Sequence, residues 1–272
     1  MSSDPYEYDM QMIAPLLNSL PLGDEVPCGY FEGRMSKNRY FIAGPEIPEG
    51  MVHQALLQGF RRCGATWFQP HCNGCNLCLN FRLDIERFEP SRNQKRVLKK
   101  NEDLEVRIVS PNCTIEKEKL YLKYQYSRHD SVIEHEHDLE LDTKRKLEAM
   151  QRQMYQVIEG TKEIEIYHNE QLIGFGVFDT AVDVISLIYF VFDTDFQKRS
   201  LGTFNILSSI QWAKENGFKY VLLGHYIPGH PKMKYKRLFQ PGEFQDPESR
   251  DWIETLPKLI FPEQGESKER KS

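Results

Sequence analysis

Residues 185–192, ISLIYFVF, limit the fold of this chain more than any other segment. A near-continuous apolar run of that length has no face for solvent and suits a central strand buried on both sides. FDTDFQKRSLGT then turns the chain into a helix that stops at Asn216-Gly217. A second strand, KYVLLGHYI, delivers the lysine-dense GHPKMKYKRLF. In such a connection the helix N-terminus, with its unpaired N–H groups and positive dipole end, sits beside the charge of the turn. Lys198 and Arg199 supply that charge, Ser200 is placed to cap the helix, and Gly202, after Leu201, leaves the backbone open to close approach. The turn is predicted to hold an anion.

Residues on the far side of the turn narrow the choice of ligand. An acyl-CoA N-acetyltransferase loop, Arg-x-x-Gly-x-Gly/Ala, is matched from Arg199 to Gly202 but not at Phe204, where a ring replaces a small residue. If GHPKMKYKRLF is extended, Lys232, Lys234 and Lys236 share one side, and Met233 and Tyr235 the other. A basic rim beside a stackable ring suits the 3′ end of an RNA, the alternative being a solvated loop. A further basic group comes from SRNQKRVLKKN, predicted as a short helix capped by Ser91 with Arg92, Lys95, Arg96 and Lys99 on one face. The net charge of −5 excludes a constitutive nucleic-acid binder, so any RNA contact is local, transient and salt-sensitive.

No apolar run approaches the roughly 20 residues that span a bilayer, and MSSDPYEYDM is too acidic for a signal peptide, so a cytoplasmic protein without a membrane partner is expected. Six cysteines in a reducing compartment point to metal binding or plain burial rather than disulfides. Cys72, Cys75 and Cys78 form C-x-x-C-x-x-C, whose spacing can converge on zinc or an iron–sulfur cluster with Cys28 or His71 as fourth ligand; buried reduced thiols in a tight turn are the alternative.

The remaining pattern reads as mixed α+β. MVHQALLQGF, TIEKEKLYLKYQYSRH and DTKRKLEAMQRQMYQVIEG have helical spacing, and KEIEIYHN and QLIGFGVFDT read as a hairpin turning at His168–Asn169–Glu170. The expected organisation is an N-terminal lobe over 1–128 with the cysteine cluster, a polar linker or lid over 129–141, a transferase lobe over 142–260, and a disordered tail over 261–272.

CGYFEGR, LLQGFRRCG, QPHCNGCNLC, FEPSRNQKRVLKKN, FDTDFQKRSLGT and LGHYIPGHPKMKYKRLFQP resemble, in order, the motifs of the aminoacyl-tRNA–protein transferases, nearest to the bacterial aspartate/glutamate leucyltransferases and related to eukaryotic arginyltransferase. The resemblance spans roughly residues 25–245. It implies an α+β fold of two acetyltransferase-like (GNAT-type) lobes, with mixed sheets and flanking helices. It implies transfer of leucine from leucyl-tRNA to proteins with N-terminal Asp or Glu, which marks them for degradation in the N-degron pathway. Arginyl-tRNA is the alternative donor, and acyl-CoA acetylation a more remote one. The chain departs from the eukaryotic Cys-x-x-Cys after Cys28, and His230 and Tyr226 stand where bacterial relatives usually carry cysteine and tryptophan.

Charged tRNA is an activated ester, so no nucleophilic side chain and no cofactor is required; the aminoacyl-tRNA is a co-substrate. The needs are alignment, a proton acceptor and oxyanion stabilisation. The turn Lys198–Gly202, Lys234, Lys236, Arg92 and Arg96 are assigned to tRNA, with Tyr189 and Phe192 beside the leucyl group. Tyr235 and Lys232 are the catalytic candidates. Arg34, Arg61, Arg62 and Arg82 are candidates for the acidic first residue, because arginine pairs carboxylates in bidentate fashion.

Overall fold

The computed structural model describes residues 13–128 and 136–261. Residues 13–19 are helical (α1), and β1 (Val26–Pro27) pairs with β2 (Met35–Ser36). A three-stranded antiparallel sheet comes next, built from β3 (Asn38–Ile42), β4 (Arg61–Cys63) and β5 (Thr66–Pro70), with α2 (Glu49–Leu57) between β3 and β4. Then come β6 (Leu79–Asp84), α3 (Arg92–Lys100), β7 (Glu105–Val109), α4 (Ile115–Arg128) and α5 (Glu136–Met150). The second half supplies β8 (Thr161–His168), β9 (Gln171–Ala181), β10 (Val184–Phe192), α6 (Leu201–Glu215), β11 (Tyr220–Tyr226), β12 (Gly242–Gln245) and β13 (Trp252–Ile253).

The main sheet has eight strands in the order β13-β12-β6-β11-β10-β9-β8-β7. Residues 185–192 lie in β10, as the apolar run predicts, flanked by antiparallel β9 and parallel β11. In β9, Phe175 and Val177 pack with Leu120 and Tyr121 of α4, while a bulge at Ile173, where Ile166 pairs with Gly174 and Tyr167 with Leu172, turns that side chain toward Leu201 and Phe204 of α6. Phe204 is thus a core residue. Ser91 caps α3 in a capping box with Gln94, and Asn169 and Glu170 take the positive φ values (48° and 66°) of a tight hairpin between β8 and β9.

Three expectations change. Residues 136–141 begin α5 rather than a lid, while 129–135 lie outside the described residues, as do 262–272 of the expected tail. The two lobes share one sheet: β6 pairs with β11, and β7 pairs with β8, so strands before residue 128 sit inside or beside the later ones. GHPKMKYKRLF is not extended; Pro231–Leu238 is a 3₁₀ helix with proline at its start. Its three-residue period puts Met233 and Lys236 on the inner side and leaves Lys232, Lys234 and Tyr235 outside.

The small sheet is bolted to the main one by Arg62. Its guanidinium spans both carboxylate oxygens of Asp179 on β9 (2.6 and 2.7 Å) and donates to the carbonyls of Gly64 and Gln156. Arg62 and Asp179 are 5% and 0% exposed. Arg62→Met would strand a buried carboxylate, and urea unfolding should find it about 3–5 kcal/mol less stable than the parent.

Candidate active site

Two strands that part create the site. β10 and β11 pair only from Val184 to Ser186 against Tyr220 to Leu222, and each carries a bulge just beyond, at Leu187/Tyr189 and Leu222/Gly224. Bulges increase twist and re-aim side chains. A cavity of about 860 Å³ occupies the parting, with Tyr189 and Phe192 of β10, Ser200 and Gly202 at the start of α6, and Gly224 and His225 of β11 in its lining.

Cations fill the floor of the parting. Arg61, 7% exposed, donates from Nη1 to Ser186 Oγ (3.0 Å) and from Nη2 to the Leu187 carbonyl (2.6 Å). Lys236, 5% exposed, donates to the His225 carbonyl at 2.6 Å. Gly224, at φ 82°, makes room between them: a Cβ there would lie 3.3 Å from Arg61 Nη2 and 3.5 Å from Lys236 Nζ. Burial, with Arg61 beside it, lowers the Lys236 ammonium to about 7, and burial lowers Arg61 to about 10. Lys236 can therefore exist as a free amine near neutral pH.

The walls are aromatic. Gln125 of α4 donates to the Tyr189 hydroxyl (2.9 Å), and Tyr124 meets Phe192 edge-on at 5.2 Å with Arg128 over the Phe192 ring at 5.4 Å. Lys232 and Tyr235 line the rim, Tyr235 being 43% exposed.

The basic turn is arranged differently from expectation. Ser200 adopts a left-handed conformation (φ 57°) and makes no capping bond; Asp193 caps the 3₁₀ turn Thr194–Arg199 instead. Arg199 is paired with Asp103 at 2.7 and 2.9 Å, so its charge is already met. Gly202 faces open space, as its predicted role requires, and Leu201 is a core residue. Lys100 donates to the Lys198 carbonyl (2.5 Å), and Gln94 donates to the Leu238 carbonyl (3.1 Å). These bonds draw α3, the turn and the 231–238 helix into one surface carrying the exposed Arg92, Lys95, Arg96, Lys99, Lys198, Lys232, Lys234 and Arg237.

The four arginines expected to meet the acidic residue separate clearly. Arg62 is committed to Asp179. Arg82 is paired with Glu243 (2.7 Å) and held between the rings of Tyr220 and Trp252. Arg61 faces the cavity, and Arg34 lies over Phe31 at 4.7 Å, lining a second cavity over the cysteine loop. Cys28, Cys72, Cys75 and Cys78 line that second cavity too, yet no group of three or more metal-type side chains converges among the described residues. Cys72 Sγ is engaged with the backbone of Lys37, and the Cys78 thiol is pushed up to about 12 by burial and then by the neighbouring thiols. The thiols do not fit the expected metal centre, and no chemistry is routed through one.

Sequence alone does not single out His225, Tyr30, Phe68 or Tyr124. The available signal is Gly224, since a glycine inside a strand marks a bulge or a close approach.

Comparison with known proteins places the chain in a family. Residues 26–96 and 116–246 match the models described as arginine-tRNA-protein transferase, N terminus and C terminus. Proteins named aspartate/glutamate leucyltransferase are similar: one from Leptospira interrogans is 41% identical over 88% of this chain and 92% of its own, and one from Saccharophagus degradans is 35% identical over 80% and 89%. Among solved structures, L-PGS from Bacillus licheniformis gives a TM-score of 0.43 at 10% identity, covering 89% of this chain and 90% of that one. A tandem GNAT protein gives 0.37 at 13%, covering 74% and 58%. No helix among the described residues is long and apolar enough to cross a membrane. The chain belongs to the aminoacyl-tRNA–protein transferase family and is an aminoacyltransferase.

Proposed function

We propose that the protein moves leucine from leucyl-tRNA to the α-amine of polypeptides beginning with Asp or Glu, and so feeds an N-degron pathway. The observation that carries this reading is the pair Arg61–Lys236 on the floor of the parted strands, an oxyanion donor beside a base, below a broad basic surface. The relatives' name, aspartate/glutamate leucyltransferase, supports the choice of donor and acceptor.

The ester carbonyl of the donor is placed over Arg61, with the leucyl side chain against Tyr189 and Phe192. The neutral amine attacks the carbonyl carbon, and the negative oxygen is met by guanidinium N–H groups. The new C–N bond forms as the C–O bond to the tRNA ribose breaks. Lys236, as a free amine, takes the proton from the attacking nitrogen and returns it to the departing ribose oxygen. Lys236 thus takes the role first expected of Lys232 and Tyr235. Those exposed residues suit phosphate contact and base stacking. Arg34, which has no carboxylate partner among the described residues and lines the second cavity, receives the acidic side chain.

A direct test mixes the protein with leucyl- or arginyl-tRNA and peptides starting with Asp, Glu, Arg or Ala. Leucine on the Asp and Glu peptides alone is expected; arginine transfer would replace the donor, and transfer to no peptide would sink the reading.

Because Lys236 titrates near 7 and acts when neutral, activity should fall as pH drops through about 7. Lys236→Met should lower kcat by about 10²–10⁴ and erase that break. Titration of the acceptor amine, near pKa 8, should persist as a separate step.

Replacing Arg92, Lys95, Arg96 and Lys99 together by Glu should raise the KM for tRNA at least about tenfold and flatten its log–log salt dependence by about 3. The peptide KM should not move.

A further inference from the structure

Two cavities meet inside the protein. The first is the 860 Å³ space in the parted strands; the second, about 1090 Å³, opens over the cysteine loop between Arg34, Lys37 and Cys78. They share three lining residues, Tyr30, Phe68 and His225. Tyr30 belongs to the segment between β1 and β2 and meets His230 edge-on at 5.7 Å; Phe68 of β5 meets His225 edge-on at 6.0 Å. The partition between the cavities is therefore two aromatic rings and one imidazole.

His225 is the polar member, and it is underused. It is 7% exposed, and its Nε2 is buried with no hydrogen-bond partner among the described residues. A buried polar atom left without a partner is destabilising. The charged groups that face the ring are Arg61 of β4 and Lys236 of the 231–238 helix. Burial, and then those two cations, hold the imidazole neutral, at about 3. A neutral imidazole keeps a lone pair on one ring nitrogen, and so can accept a hydrogen bond. Arg61, which stays charged when Lys236 is a free amine, disfavours an ammonium group at this spot, so an amine brought here is pressed toward its neutral, nucleophilic form.

The basic surface lies on the α3 and 231–238 side of the first cavity, which gives that cavity to the tRNA-borne donor. The second cavity has no lining residue from α3, α6 or the 231–238 helix. We propose that this second cavity admits the acceptor polypeptide, and that Nε2 of His225 accepts a hydrogen bond from its α-amine, holding it at the boundary with the donor's cavity. The inference rests on the aminoacyl-transfer reading above and assigns that reaction's second substrate its own door.

The test is steady-state transfer from leucyl-tRNA to an Asp-initiated peptide, with His225→Leu, His225→Gln and Met35→Trp beside the parent. Leucine fills the ring's space without a polar atom, whereas glutamine restores one. Met35 lines the second cavity and is 53% exposed, so tryptophan there narrows its mouth without disturbing the core. His225→Leu should raise the peptide KM at least about tenfold, the effect of one lost hydrogen bond, and leave the leucyl-tRNA KM within about twofold. His225→Gln should recover most of the loss. Met35→Trp should raise the peptide KM alone.

An unchanged His225→Leu, a glutamine variant no better than leucine, or equal loss for both substrates with a lowered Tm would overturn the role of His225. A Met35→Trp variant with normal peptide KM would overturn the route. Failure of the parent protein to transfer at all would instead remove the underlying reading, and this inference with it.

Discussion

The parting of two parallel strands governs this molecule. β10 and β11 share a ladder over three residue pairs and then separate, and the carbonyls of Leu187 and His225 face the gap. Buried carbonyls need donors. Here the donors are cations delivered from outside the two strands: Arg61 from the small sheet and Lys236 from the helix after β11. The gap is thereby kept open, polar on its floor and aromatic on its walls. The small sheet is the mount for Arg61, and Arg62, its neighbour in sequence, is the bolt that fixes the mount to β9.

That neighbour pair shows how placement decides chemistry. Adjacent residues of a strand point to opposite sides. Arg62 finds Asp179 and is neutralised in place, so it contributes anchorage and nothing to catalysis. Arg61 finds a hydroxyl and a carbonyl, which satisfy donors without cancelling charge. Its field then acts on whatever else is buried nearby. Lys236 is brought to about 7 and His225 to about 3 by burial together with this charge. Burial first, and this guanidinium second, make a base out of a lysine and keep a histidine neutral.

Much of the framework is legible in the sequence because it depends on local pattern. The apolar run of β10, the Ser91 capping box, the hairpin at Asn169–Glu170 and the basic face of α3 all come from spacing that can be counted along the chain. The site is legible only in outline. The segments GFRR, LGHYI and KMKYKR mark the right regions, but nothing in their spacing tells Arg61 from Arg62, or Lys236 from Lys232 and Lys234. Those distinctions arise from the three-residue period of a 3₁₀ helix where an extended loop is expected, and from bulges that shift β10 and β11. The metal expectation fails for a similar reason. The C-x-x-C-x-x-C spacing is compatible with convergence, but among the described residues no group of three or more metal-type side chains comes together, because the turn spreads the thiols along the lining of the second cavity.

An activated ester in this gap has to meet an amine rather than water. Water is far more abundant, so selection has to come from geometry and dryness. Alignment of two reactants in one site can supply several kcal/mol of the barrier by removing the entropy of encounter. A neutral amine is intrinsically a much stronger nucleophile than water, and a base that is neutral near pH 7 has only to collect the proton that the nitrogen sheds once the bond has formed. The aromatic walls formed by Tyr124, Tyr189 and Phe192 exclude solvent from the carbonyl while leaving the floor polar. In the proposed arrangement the partition of Tyr30, Phe68 and His225 adds to that selection by placing a hydrogen-bond acceptor where the amine arrives. On that reading transfer prevails over hydrolysis because the amine is held beside the ester in a fixed geometry and water is not.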